Sequence, residues 1–91
     1  MVRPLATELA PIRINAISPG IVRTPWWDRI PAPQREATFK DAAEWIPVGR
    51  VGAPDDVAQA VLLVATNGYM TGTVIEVDGG AHLARGQSRF T

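Results

Sequence analysis

The clearest pattern in the chain is a short apolar run that lies between two prolines and comprises Ile12, Ile14, Ala16 and Ile17. A run of this length and composition is typical of a strand that is covered on both faces. Pro19–Gly20 then ends the run, because proline fixes φ and glycine lets backbone approach a neighbour without a Cβ. We therefore predict a strand over residues 12–18 that leads directly into a ligand-facing turn.

A second strand is predicted over residues 73–77, where β-branched residues precede an Asp-Gly-Gly turn. The link between the two strands is long and contains helix, as a parallel crossover requires. Upstream, residues 1–10 form the end of a helix that Pro11 stops. Two parallel strands with covering helices indicate an α/β protein, in which ligands bind beyond the carboxyl ends of the strands.

A longer helix is predicted over residues 54–67. Pro54 and the two aspartates after it suit the first turn, and Asn67–Gly68 suits a left-handed stop. The apolar positions occupy enough of the helix circumference for two faces to be buried. Leu63 lies on the more polar side, where it is either a lone exposed leucine or part of a subunit interface.

Residues 25–47 are irregular in composition, with several prolines around a helix-like stretch from Gln34 to Trp45. We predict a lid with apolar and aromatic side chains. Packing between loop and core is the simpler explanation for any single tryptophan. The adjacent pair Trp26–Trp27 is harder to explain in this way, because the two side chains cannot point to the same place, and we expect at least one to meet a ligand or a partner.

Composition narrows the possible functions. The chain has 91 residues, no net formal charge, one histidine and no cysteine. Scattered arginines in a neutral chain do not predict nucleic-acid binding, and the absence of cysteine excludes disulfides and fits a cytoplasmic protein. No apolar run has the length of a membrane span. His82 has no second histidine or cysteine to join it, so neither a metal site nor a catalytic residue is predicted.

Several short motifs together resemble the carboxyl-terminal portion of the short-chain dehydrogenase/reductase family, over residues 3 to 83. In order, they are Leu5–Ala10, Arg13–Asn15, Pro19–Gly20 with Thr24–Pro25, Gly49–Arg50 with Gly52, Pro54–Ala58, Thr71–Gly72 and Val77–Gly80. The resemblance implies a partial Rossmann-like fold, made of the last two parallel strands of a doubly wound sheet with their helices and the lid. It also implies an oxidoreductase that transfers hydride between NAD or NADP and a carbonyl or alcohol.

The resemblance implies a cofactor site at the turn after the first strand. Pro19, Gly20, Val22 and Thr24 would face the nicotinamide end of NAD or NADP. The backbone of Val22 would meet the carboxamide, with the Thr24 hydroxyl nearby. The predicted lid would then cover the substrate.

Two motifs of the family are absent. The chain has no glycine-rich phosphate loop and no Y-x-x-x-K catalytic pair, since its only tyrosine is Tyr69 and its only lysine is Lys40. On the family's spacing both catalytic residues would precede Met1, so we expect a portion of a dehydrogenase or a truncated relative. Pro4, where the family places a good helix former, favours a genuine amino terminus. We expect this chain alone neither to catalyse nor to hold the cofactor.

A piece of an open sheet exposes unpaired backbone groups along its edge, which invites another chain. We therefore expect self-association, or docking onto a missing amino-terminal half. Two functions stay open: a dehydrogenase portion that needs its other half, and a non-catalytic oligomerising or interaction module with the same scaffold. Residues 84–91 show no pattern and are expected to form a flexible tail.

Overall fold

The computed structural model describes residues 1–84, so all of the predicted tail except Ala84 lies outside the described residues. The elements, in chain order, are α1 (Val2–Glu8), β1 (Ala16–Pro19), a 3-10 helix (Pro25–Arg29), α2 (Ala32–Trp45), α3 (Pro54–Thr66) and β2 (Val74–Val77). Among residues 1–84, no helix is both long enough and apolar enough to cross a membrane.

The two strands form a parallel pair, with Ala16 opposite Val74 and Pro19 opposite Val77. The 3-10 helix, α2 and α3 all lie in the connection between them. The predicted α/β fold with two neighbouring parallel strands is therefore confirmed. Because the strands run in the same direction, their carboxyl ends lie side by side, and the turns after Pro19 and Val77 meet there.

The first strand is shorter than predicted. It begins at Ala16 rather than at residue 12, because residues 13–15 bond to the end of α3 and to the loop before β2 instead of to a neighbouring strand. Within residues 1–84 the strand is half-buried rather than covered on both faces, and α3 is the helix that packs against it.

The carboxyl end of α3 is held by a side chain from another part of the chain. Arg13 donates from Nη1 to the carbonyls of Val64 (2.7 Å) and Asn67 (3.1 Å), and from Nη2 to that of Ala65 (3.1 Å). The left-handed stop predicted at Asn67–Gly68 was wrong: Asn67 is extended, with φ −87° and ψ 99°, and Gly68 has no positive φ. The guanidinium satisfies the free carbonyls that a left-handed turn would otherwise bond.

Only one face of α3 packs on the sheet. Val57, Ala60 and Val64 are half-buried on that face. The second apolar face, predicted to be buried, is open, with Leu62 62% exposed. Leu63, predicted on the more polar side, is 48% exposed. No element within residues 1–84 covers the second apolar face.

The buried core lies under the predicted lid rather than on the sheet. Its cluster consists of Phe39, Ala42, Ile46 and Val51, with Trp27 among the residues packed against it. Phe39 and Ile46 belong to the region 25–47 that was predicted to be a lid, and both are core residues. The radius of gyration is 15.7 Å, whereas a compact domain of this length has about 12 Å. The chain is an open arrangement with a small core.

Candidate functional site

The turn after β1 lies against the end of β2. Among the glycines of residues 1–84, Gly20 lies closest to the backbone of another segment. The Gly20 amide donates to the Val77 carbonyl at 3.1 Å. A Cβ on Gly20 would lie 2.6 Å from the Cβ and 2.9 Å from the Cα of Asp78. The neighbouring strand therefore requires glycine at this position. The prediction from sequence explained Gly20 by the approach of a ligand and did not identify this contact.

The next residues form a parallel bridge to the loop before α3, with Val22 opposite Gly52. Gly52 donates to the carbonyl of Ile21 at 2.8 Å, and the amide of Arg23 donates to the carbonyl of Gly52 at 2.9 Å. In such a bridge the central residue directs its own N–H and C=O to the opposite side. Accordingly, neither backbone group of Val22 has a hydrogen-bond partner within the described part of the chain.

The predicted site residues surround one cavity. It has a volume of about 490 Å³ and is lined by Pro19, Gly20, Ile21, Val22, Thr24, Trp26, Trp27, Pro54 and Val57. All six residues assigned from the sequence to the cofactor and the lid are in this set. Thr24 supplies the only side-chain hydroxyl, and this hydroxyl makes no hydrogen bond to residues 1–84. The walls are otherwise apolar or backbone.

The two adjacent tryptophans have different surroundings, as their neighbouring positions led us to expect. Trp27 is half-buried and packs edge-on against Phe39, with ring centroids 4.9 Å apart. Trp26 is 53% exposed and meets Trp27 edge-on, at 5.0 Å and an interplanar angle of 86°. The Arg29 guanidinium lies 5.0 Å from the Trp26 ring centroid. Trp27 thus anchors the 3-10 helix on the core, and Trp26 keeps a larger free surface beside the cavity.

An ion pair joins the end of the site turn to α2. Arg23 donates from Nη1 and Nη2 to the two carboxylate oxygens of Glu36, at 3.0 Å each, and its guanidinium lies 4.3 Å from the Phe39 ring centroid. The hydrogen bonds from Arg23 hold the pKa of Glu36 below its ordinary value. The pair stays open to solvent, with the Glu36 side chain 53% exposed. No local signal links two residues that are 13 positions apart.

Several polar groups surround Asp78, and the sequence did not lead us to predict that they lie together. The Asp78 carboxylate accepts the amides of Gly80 (3.0 Å) and His82 (3.1 Å) and lies 2.9 Å from His82 Nδ1. Burial raises the pKa of Asp78, but the hydrogen bonds from His82 and from these amides outweigh it, so the pKa lies below its ordinary value. Glu76 brings a third donor atom within 4.8 Å of the other two. The i, i+4 spacing of Asp78 and His82 was the available signal.

This carboxylate caps the turn that follows β2, since residues 81–84 continue as helix. At the start of α3, Asp56 acts similarly: its carboxylate accepts the Ala53 amide at 2.7 Å and two bonds from Arg50, at 2.9 and 3.2 Å. The hydrogen bonds from Arg50 and from the Ala53 amide lower the pKa of Asp56 to about 2. Both aspartates thus fix the loops that border the cavity residues.

The sequence matches a known family over almost all of its length. The model of the enoyl-(acyl carrier protein) reductase family matches residues 1–82. The chain is 43% identical over 84 residues to the 3-oxoacyl-(acyl-carrier-protein) reductase FabG of Thermotoga maritima, covering 88% of this chain and 32% of the relative. It is 42% identical over 85 residues to the 3alpha-hydroxysteroid dehydrogenase of Mediterraneibacter gnavus, covering 89% of this chain and 32% of that protein.

The fold matches solved structures of the same kind. A small-chain dehydrogenase solved in complex with NADPH superposes with a TM-score of 0.85 at 50% identity, covering 90% of this chain and 37% of that structure. The aldohexose dehydrogenase of Thermoplasma acidophilum gives a TM-score of 0.80 at 28% identity, covering 90% of this chain and 36% of that structure. The chain thus spans about a third of the length of the relatives it matches. On sequence and fold together, the chain belongs to the short-chain dehydrogenase/reductase family of oxidoreductases.

Proposed function

We propose that the chain supplies the nicotinamide-facing wall and the substrate lid of an NAD(P)-dependent oxidoreductase, which moves hydride between the cofactor and a carbonyl or alcohol. The observation that carries this proposal is the single cavity lined by all six predicted residues. The NADPH complex of a relative with 50% sequence identity supports a nucleotide cofactor at the family level.

The wall of the cavity fits a nicotinamide ring. Such a ring requires a flat, close surface and a few directional hydrogen bonds for its carboxamide. Val22 has a free backbone N–H and C=O, and Thr24 has a free hydroxyl, while Pro19 and Gly20 bring backbone to the surface without bulky side chains. When bound, NAD or NADP would accept or supply the hydride. The chain's own contribution is to orient the ring and to exclude water from one side.

We propose a nonpolar substrate, because the rest of the lining is apolar. Trp26, Trp27, Pro54 and Val57 offer no charge to a ligand. Burial of an apolar group against these side chains would be favourable at about 25 cal/mol per Å².

The 91-residue chain by itself should not carry out the reaction. Its only tyrosine, Tyr69, is fully exposed and does not line the cavity, so the proton donor of the family has no counterpart at this site. A second candidate function is an oligomerising module without catalysis, which the open apolar face of α3 favours.

Complementation tests the first proposal. The chain would be assayed alone and together with the amino-terminal part of the T. maritima reductase, which lies outside the segment matched here, by following NADPH consumption with an apolar ketone. We expect no turnover from either part and turnover from the complex. Thr24→Val should raise the KM for the cofactor about fivefold, since one neutral hydrogen bond contributes about 1 kcal/mol. Thr38→Val, on α2 and outside the cavity, is the matched control.

Two results would contradict the proposal. Turnover by the 91-residue chain alone would refute the inactivity of the isolated chain. A stable complex that binds neither NADH nor NADPH would refute the cofactor wall. If sedimentation instead shows a defined oligomer of this chain that cofactor does not affect, the module function is favoured.

A further inference from the structure

The turn between α3 and β2 contains the dipeptide Asn67–Gly68, and both residues are exposed. We propose that Asn67 is a site of spontaneous deamidation, in which the Gly68 backbone nitrogen attacks the side-chain amide of Asn67. The product would carry aspartate or isoaspartate at position 67. This inference does not depend on the proposed function.

The attacking group is free. Although the neighbouring amides of Asn67, Tyr69 and Met70 all donate hydrogen bonds, the Gly68 N–H has no acceptor among residues 1–84. Apart from Gly68 itself and its two chain neighbours, no heavy atom lies within 4 Å of the position that a Cβ on Gly68 would occupy. The Gly68 nitrogen therefore has no hydrogen bond of its own to break before it attacks the preceding side chain.

The reacting carbonyl is held and polarised. Asn67 Oδ1 accepts the Tyr69 N–H at 3.0 Å, which folds the side chain over Gly68. When nitrogen adds to Cγ, negative charge develops on Oδ1. The Tyr69 amide is a fixed donor to this oxygen, and such a donor stabilises a developing oxyanion.

The reaction requires no other reagent than water. A bond forms between the Gly68 nitrogen and Asn67 Cγ, the bond from Cγ to Nδ2 breaks, and Nδ2 leaves as ammonia with the proton from Gly68. Water then opens the five-membered imide at one of its two carbonyls. Opening at one carbonyl gives aspartate, and opening at the other gives isoaspartate, whose main chain runs through Cγ and is one carbon longer.

Asn15, the other asparagine of the chain, provides an internal control. Its Nδ2 donates to the Met70 carbonyl at 3.0 Å, and its Oδ1 accepts the Thr73 amide at 3.1 Å. The amide that would attack it, that of Ala16, donates to the Thr73 carbonyl at 2.9 Å. Every group needed for deamidation of Asn15 is therefore already bonded.

Deamidation of Asn67 would weaken the contacts that hold the segment before β1 against α3. The Asn67 carbonyl accepts Arg13 Nη1 at 3.1 Å and the Met70 amide at 3.2 Å. An extra main-chain carbon in isoaspartate moves this carbonyl away from both donors. We therefore expect the modified chain to hold the segment before β1 less firmly against α3.

Peptide mass spectrometry of the folded full chain, incubated in mildly alkaline buffer, tests the proposal. We expect a gain of about one dalton at Asn67, with isoaspartate detected by protein isoaspartyl methyltransferase. Asn15 should react at least about 30-fold more slowly, because its Nδ2 bond to the Met70 carbonyl and the Ala16 amide bond to the Thr73 carbonyl must both break before the imide forms.

Two further samples make the result decisive. In urea, Asn15 should react faster than in the folded chain, because its hydrogen bonds are lost. Gly68→Ala should slow the reaction at Asn67 without a change in circular dichroism, since the added Cβ meets no atom of the fold. An Asn67 that stays intact in the folded chain, or that reacts many times faster in urea than in buffer, would overturn the proposal.

Discussion

Replacement of Gly20 by alanine tests the close approach on which the site turn depends. The added Cβ would lie 2.6 Å from the Cβ and 2.9 Å from the Cα of Asp78, whereas ordinary contacts begin at 3.4 Å. Gly20 does not have a positive φ, so the substitution introduces no backbone strain of its own. The expected effect therefore comes from this contact alone.

The size of the effect follows from what must move. The nearest atoms belong to the backbone and Cβ of Asp78, which cannot rotate away as a flexible side chain would. Overpacking of this kind costs about 1–3 kcal/mol, and separation of the strand ends also weakens the Gly20–Val77 hydrogen bond, at 3.1 Å, by about 1 kcal/mol. We expect a loss of about 2–4 kcal/mol in the free energy of unfolding.

Urea denaturation followed by circular dichroism measures this loss, with Gly68→Ala as the matched control. Nothing lies within 4 Å of the control Cβ, so its free energy of unfolding should be unchanged or raised by up to about 1 kcal/mol. If Gly20→Ala is already unfolded without urea while the control is folded, the expectation is met. A Gly20→Ala midpoint equal to that of the unchanged chain would refute the reasoning.

Three further predictions concern the stability of the scaffold. Arg13→Lys should lower the free energy of unfolding by about 1–2 kcal/mol, because one ammonium cannot reach the carbonyls bonded by both guanidinium nitrogens; an unchanged urea midpoint would contradict this. Asp56 has its pKa lowered from 3.8 to about 2, so its stabilising effect is complete above pH 3.8 and is lost as the pH falls through about 2. Acid denaturation of Asp56→Asn should lack this loss, and identical acid curves would count against the pairing with Arg50. Phe39→Ala should cost about 3–5 kcal/mol, since Phe39 is 3% exposed, and should remove the near-ultraviolet signal of Trp27; a retained signal would show that the ring contact is not needed.

The features that the sequence predicted are those with local causes or with a family resemblance. The start of α3 at Pro54 follows from proline and two acidic residues within one turn. The parallel strands follow from the length and helical content of the link. The cavity residues from Pro19 to Trp27 lie close together in the chain, so the resemblance located them as a group.

The features that the sequence analysis missed depend on partners far along the chain. Arg13 reaches carbonyls 51 to 57 positions away, and no local pattern indicates that it ends α3. The open face of α3 had a different cause. Periodicity identifies the apolar positions, such as Leu62. It does not show whether the surface that would cover these positions lies within residues 1–84.

The pairing of β1 with β2 also has a kinetic consequence. Asn15 and Thr73, which bond at the entrance to the two strands, are 58 positions apart. A contact of this separation closes a long loop before it gains any stabilisation, and such contacts slow folding. During synthesis β1 cannot pair with β2 until the long connection and β2 itself have left the ribosome. The site turn, which the Gly20–Val77 hydrogen bond holds beside β2, is therefore fixed late.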